Sequence, residues 1–158
     1  MLQGERTLDD PWFGRVTLSG HGREWAAEGP GLGGRYVLDG LVDGTLSTPH
    51  GQGEVRTPWT GIRRRSKDAR ATVAGREYHL HHRSLRRAEL RRDGTVVGTF
   101  RGRFRLPFTG GPAMLQPYEI GAWKPGADAT DAGVGHVLLA RHGAGAEGAV
   151  YNALTLFS

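Results

Sequence analysis

Two groups of side chains in this 158-residue chain are spaced to do chemistry. The first is cationic. In the run TFRGRFRLPF, Arg101, Arg103 and Arg105 fall at every second position, so in an extended strand their guanidinium groups share one side. Phe100, Gly102, Phe104 and Leu106 share the other. Arg86, Arg87, Arg91 and Arg92 lie just upstream, with facings that depend on register. Guanidinium groups in a row suit oxyanions, because each planar fork donates in parallel to phosphate or carboxylate oxygens. The second group is imidazole. His79 and His81 are two apart and share a strand face, a geometry that places two ring nitrogens toward one ion, while His82 takes the opposite face. A metal site needs at least one more imidazole or carboxylate. The first acidic residue after the pair is Glu89, across Arg83, Arg86 and Arg87, whose charge opposes a cation. On this reading the histidines are polar-face side chains, and no metal ligand, cofactor or catalytic residue is assigned.

Other chemistries lack their residues. There is no cysteine, hence no disulfide framework, thiolate nucleophile or cysteine-ligated zinc. No G-x-S-x-G or G-x-x-x-x-G-K-[ST] run is present. Gly29, Gly31 and Gly34 formally fit the G-x-G-x-x-G dinucleotide fingerprint, but a helix must come after it to receive a pyrophosphate. The next residues are a strand-like RYVLDG, so the glycines read as a flexible loop. The N-terminus shows no basic run leading into an apolar one, and no window approaches 18 continuous apolar residues. The expected location is the cytoplasm.

Charge is segregated along the chain. The net charge is +5, yet residues 56–105 hold 15 basic against 4 acidic residues, and the remainder holds 6 against 12. A basic block of this kind suits an anionic partner. Arginine outnumbers lysine 19 to 2, a bias that a GC-rich genome also writes into merely solvated surface.

The elements that must position these side chains are read from turns and periodicity. Glycine makes up 26 of 158 residues and is spread at turn spacing, which favours many short strands. Asp93-Gly94 suits a two-residue type I′ hairpin loop, with Arg92 opposite Thr95, Leu90 opposite Val97 and Ala88 opposite Thr99. Asp39-Gly40 and Asp43-Gly44 read as turns, and Ala71–Val73 and Glu77–His82 as a hairpin through Gly75. Residues 1–11 read as a polar lead-in and Thr45–Gly53 as a loop. Val55–Ile62 reads as an edge strand because of Pro58. Met114–Trp123 reads as a last strand. Residues 128–142 read as an apolar helix, with Asp128 as N-cap, Asp131 at the favourable end of the dipole and Gly143 after its end. The expected fold is one mostly-β domain over 1–158: an antiparallel, hairpin-built barrel or sandwich with the C-terminal helix packed in or against it.

Two stretches, YHLHHRSLRRAELRRDGTVVGTFRGRFR at Tyr78–Arg105 and GVGHVLLARHG at Gly133–Gly143, resemble the tubby-like superfamily. That group includes the tubby C-terminal domain, the LURP-one-related proteins and the phospholipid scramblases. The resemblance implies a β-barrel wrapped around a buried helix and a non-enzymatic module whose basic groove takes phosphoinositide head groups. It carries over no binding residue. The scramblase anchoring segment and cysteine-rich stretch have no counterpart here.

The function expected from the sequence is a binding module whose basic face contacts a lipid head group or an acidic protein surface. Arg101, Arg103 and Arg105 lead the candidate set, and Arg86, Arg87, Arg91 and Arg92 come second. Nucleic acid ranks behind, because the alternation sets the phenylalanines opposite the arginines instead of among them as stacking platforms. One alternative is a hollow-barrel enzyme or carrier, with a cavity lined by Trp25, Trp59 and Trp123 and by His79 and His81. Another is a subunit that docks through Tyr151–Phe157.

Overall fold

Short alternating runs separated by tight turns fold back beside one another, so strand order in space matches order in sequence. The computed structural model describes residues 3–40, 43–57, 68–84, 86–102, 115 and 118–144. Its strands are β1 (Gln3–Asp10), β2 (Gly14–His21), β3 (Glu24–Gly29), β4 (Gly34–Asp39), β5 (Gly44–Thr48), β6 (Gly51–Arg56), β7 (Ala69–Val73), β8 (Arg76–His82), β9 (Arg87–Arg92), β10 (Thr95–Gly102) and β11 (Tyr118–Trp123). One helix, α1 (Ala129–His142), comes after them. All ladders are antiparallel, and the 11-stranded sheet curls into a nearly closed barrel with α1 packed against its inner wall. Barrel and helix are as the sequence predicts.

The interior is built by alternation. Val16 and Leu18, Tyr36 and Leu38, Ala69, Ala71 and Val73, and Tyr78 and Leu80 point inward, and apart from Val37 their strand neighbours are polar and face out. The helix fills the space they enclose, and twelve of its fourteen residues are buried. Glycines allow the close fit. A Cβ at Gly133 would lie 2.2 Å from the Tyr36 ring, and one at Gly135 would lie 3.0 Å from Leu90. Each helical glycine costs about 1 kcal/mol relative to alanine, and close approach to the wall is the return. Of the tryptophans expected to line a cavity, Trp25 and Trp123 are buried in the core and Trp59 lies outside the described residues.

Four expectations are corrected. Residues 3–10 are not a lead-in but β1, paired with β2 along its whole length from Gln3↔His21 to Asp10↔Gly14. Its inward positions include Arg6 and Asp10, so backbone pairing specifies this strand more than apolar content. Thr45–Gly53 is not a loop but most of the β5–β6 hairpin, which turns at Pro49-His50 and carries one buried apolar side chain in β5, Leu46. The strand containing Val55 is not an edge, because β6 pairs on both sides; Pro58 and Trp59 lie outside the described residues. The glycine run is an ordered connection. Gly29 ends β3, Pro30–Leu32 form a 3-10 turn that buries Leu32, and Gly31 sits where a Cβ would strike the Phe13 carbonyl.

The β9–β10 hairpin has the predicted loop, with φ of 50° at Asp93 and 86° at Gly94. Its register departs from expectation beyond the first pairs. Arg92 faces Thr95 and Arg91 faces Val96, but Leu90 then faces Gly98 and Arg87 faces Arg101, so Val97 is an extra residue in β10. A regular strand would turn Val97 and Phe100 to opposite sides. The bulge turns both into the core, at 2% and 3% exposure.

Two polar networks tie the helix to the barrel wall. The seam between β1 and β11 has no ladder among the described residues and is closed through Asp10. Its carboxylate accepts from Trp123 Nε1 at 2.9 and 3.0 Å, His136 Nε2 at 2.7 Å and the Trp12 amide at 2.9 Å. Tyr118 completes the chain 2.5 Å from His136 Nδ1. Burial alone would push the Asp10 carboxyl up. The hydrogen bonds from His136, the Trp12 amide and Trp123 outweigh burial and hold it below its ordinary value. Burial pushes the Tyr118 phenol up, so it stays protonated.

At the other network Asp128 and Asp131 form a reciprocal capping box at the start of α1. Asp131 also accepts from Tyr78 Oη at 2.7 Å, Arg76 at 3.1 Å and Arg92 at 2.7 Å. The Arg76 guanidinium, 2.7 Å from Asp128, holds that carboxyl down at about 2.

These carboxylates predict acid lability with a definite sign. A carboxyl held low in the folded chain and near 3.8 in the unfolded one contributes stability above about pH 4 and loses it as pH falls toward 2. The urea midpoint is therefore expected to fall steadily from pH 5 to pH 2.5. A flat profile would contradict the assignment of Asp10 and Asp128 as the anchoring anions.

Candidate anion-binding surface

The outer wall of β7–β10 collects the side chains that the inward set leaves out. In β8, Tyr78, Leu80 and His82 face the core, so His79 and His81 face out. In β9, Ala88 and Leu90 pair with the inward His82 and Leu80, so Arg87, Glu89 and Arg91 face out. Across β9–β10, Glu89 lies opposite Thr99 and Arg87 opposite Arg101. The result is a polar band running from Asp68, just before β7, through His81 and Glu89 to Thr99.

Within this band a concavity of about 550 Å³ is lined by Arg83, Arg87, Glu89, Thr99 and Arg101 among others. Glu89 forms its floor, only 4% exposed although charged, and is covered by two arginines. Arg91 pairs with it through Nε at 2.9 Å and again through a terminal nitrogen, and Arg83 lies 3.4 Å away. Arg87 and Arg101 are different. Both are exposed, they face each other directly across the ladder, and neither has an ion-pair partner among the described residues. Arg101 faces Glu119 across the next ladder without an ion pair between them. Like charges directly opposite are destabilising in a sheet, and an anion seated between them would remove that cost.

The predicted arginines therefore divide. Arg101 and Arg87 line the concavity, and Arg86 is exposed in the turn beside it, its carbonyl accepting from the Gly102 amide at 2.8 Å. Arg91 is held by Glu89. Arg92 is corrected out of the face: it turns inward and its guanidinium is engaged by Asp131 and Asp128. Arg103 and Arg105 lie outside the described residues. Phe100 is buried, on the side opposite Arg101.

The histidines gain a partner that a search running forward from them passes over. Asp68 Oδ2 lies 3.1 Å from His79 Nε2 and 3.0 Å from His81 Nδ1. Its Oδ1 accepts the His82 amide at 2.9 Å and lies 3.2 Å from His82 Nδ1, while His82 Nε2 lies 3.0 Å from the Gly143 carbonyl. Burial pushes the Asp68 carboxyl up, but these hydrogen bonds, led by those of His82, hold it well below the usual carboxylate range. The signal was present in the turn. A two-residue loop at Ala74-Gly75 sets Ala69 opposite Leu80, which places residue 68 beside His81.

Among the described residues no helix is long and apolar enough to cross a membrane. No family model matches the chain, and no curated protein or solved structure matches it.

Proposed function

We propose that this protein is a non-catalytic binding module that takes a phosphate-bearing lipid head group on the concavity of Arg83, Arg87 and Arg101. The observation that carries the reading is the Arg87–Arg101 pair, two exposed guanidinium groups directly opposite each other without a carboxylate between them. A concavity of about 550 Å³ is within the usual range for a small ligand, roughly 300–1,000 Å³. The helix-filled interior supports an external site over an internal one. A barrel wound around a buried helix is also the architecture that the tubby-like resemblance implies, with a basic groove for phosphoinositides.

Vesicle sedimentation tests the reading. Neutral phosphatidylcholine vesicles with and without a phosphoinositide are compared at low and raised salt, for the wild type and for Arg87→Gln/Arg101→Gln. Each arginine near an anionic surface contributes about 1 kcal/mol, so the double variant is expected to bind about 30-fold more weakly. Salt should weaken wild-type binding. The single variant Arg87→Gln should be as stable as the wild type or slightly more so, because it removes a like-charge contact. Wild-type binding that ignores the phosphoinositide, or a double variant that binds as well as the wild type, would overturn the proposal.

A further inference from the structure

The outward histidines and the aspartate beside them make a second arrangement, sharing no residue with the arginine concavity. Asp68 Oδ2 is approached by both rings at once, and the three ligand atoms lie within 4.8 Å of one another. At zinc bond lengths of about 2.0–2.2 Å, neighbouring ligand atoms of a tetrahedron are about 3.4 Å apart. The two nitrogen–oxygen separations, 3.1 and 3.0 Å, are within a few tenths of that value. We propose that Asp68, His79 and His81 form a divalent transition-metal site, taking Zn²⁺ through Asp68 Oδ2, His79 Nε2 and His81 Nδ1 with a fourth position open to solvent.

Two features of the surroundings suit the ion. The carboxylate is held from behind. Its other oxygen is fixed by the His82 amide, and the His82 ring ties it to the Gly143 carbonyl just past α1, the kind of outer contact that orients a metal ligand. The histidine side chains are 17% and 30% exposed, so solvent and metal reach them.

The objection from neighbouring arginines weakens once their partners are seen. Arg70, opposite His79, lies 3.7 Å from Glu77. Arg91, on the other side of His79, and Arg83 both pair with Glu89. Two imidazoles and one carboxylate favour zinc and its first-row neighbours over Ca²⁺ or Mg²⁺, which prefer all-oxygen shells.

Calorimetric titration of the chelator-stripped full chain with ZnCl₂ tests the site, for the wild type, His79→Gln, His81→Gln and the distant control His50→Gln. The expected result is one Zn²⁺ per chain in the wild type and the control. In His79→Gln and His81→Gln the affinity should fall by more than the roughly 10–100-fold typical for loss of an outer-shell partner. Wild-type affinity should also weaken from pH 7.5 to pH 5.5, as protons compete for the imidazoles. X-ray absorption of the zinc-loaded wild type gives a readout independent of any variant's folding, with two imidazole ligands at about 2.0–2.1 Å expected. No saturable uptake by the wild type, equal affinity in all four proteins, or an absorption spectrum without imidazole would overturn the proposal.

Discussion

Asp10→Ala is expected to destabilise the barrel by about 3–5 kcal/mol, the usual cost of removing one partner from a buried charged network. The physical reason lies at the seam. Among the described residues every other pair of neighbouring strands is stitched by a ladder, whereas β1 meets β11 through the buried Asp10 carboxylate, with Arg6 over the Tyr118 ring beside it. Removing it leaves Trp123 Nε1 and His136 Nε2 without their acceptor in a buried site, and frees the Trp12 amide at its edge. Asp10→Asn keeps the volume and one oxygen acceptor, so it should lose less. Urea unfolding monitored by tryptophan fluorescence measures both. A loss under about 1 kcal/mol in Asp10→Ala would mean that packing alone, such as the edge contact of Phe13 with Trp123, closes the seam.

Asp131→Ala should cost a similar amount, about 3–5 kcal/mol, at the start of the helix. Asp131 is fully buried and serves the Asp128 amide, Tyr78, Arg76 and Arg92 together. Its loss opens the capping box, leaves the buried Tyr78 hydroxyl without its acceptor and reduces Arg76 and Arg92 to a single carboxylate, Asp128. Asp128→Ala is the internal comparison. That side chain is 42% exposed, and loss of an N-cap typically costs about 1 kcal/mol. The prediction is an ordering, with Asp131→Ala the more damaging. The reverse order in urea would show that the exposed cap, not the buried network, fixes the helix to β8 and β9.

How much of this was legible depends on what kind of signal each residue carries. The helix was readable because its cap, its apolar body and its terminal glycine all point the same way, and it forms with Asp128 and Gly143 where they were expected. Tight turns were readable because Asp93-Gly94 demands positive φ at both positions. β1 was not, because its inward residues include an arginine and an aspartate whose partners, Tyr118, Trp123 and His136, lie more than a hundred residues away. No local pattern announces a strand specified by such distant contacts. The bulge at Val97 was equally hidden, although Val97 and Phe100 cannot both reach the core without it. That single extra residue decides which arginine faces Arg101. Arg92 illustrates the remaining gap: its charge was evident, but its inward facing depends on the pairing with Tyr78 and the nearby Asp131.

The central claim is that a phosphorylated head group binds at Arg83, Arg87 and Arg101. The most direct measurement is an NMR titration of the ¹⁵N-labelled chain with a soluble inositol phosphate, read through backbone amides and arginine Nε–H groups. The account predicts saturable shifts confined to residues 83–89 and 99–101, with Arg87 and Arg101 Nε–H moving most. Shifts centred instead on Arg15 and Arg35, which line a separate concavity by β2 and β4, or no saturable shift at all, would contradict it.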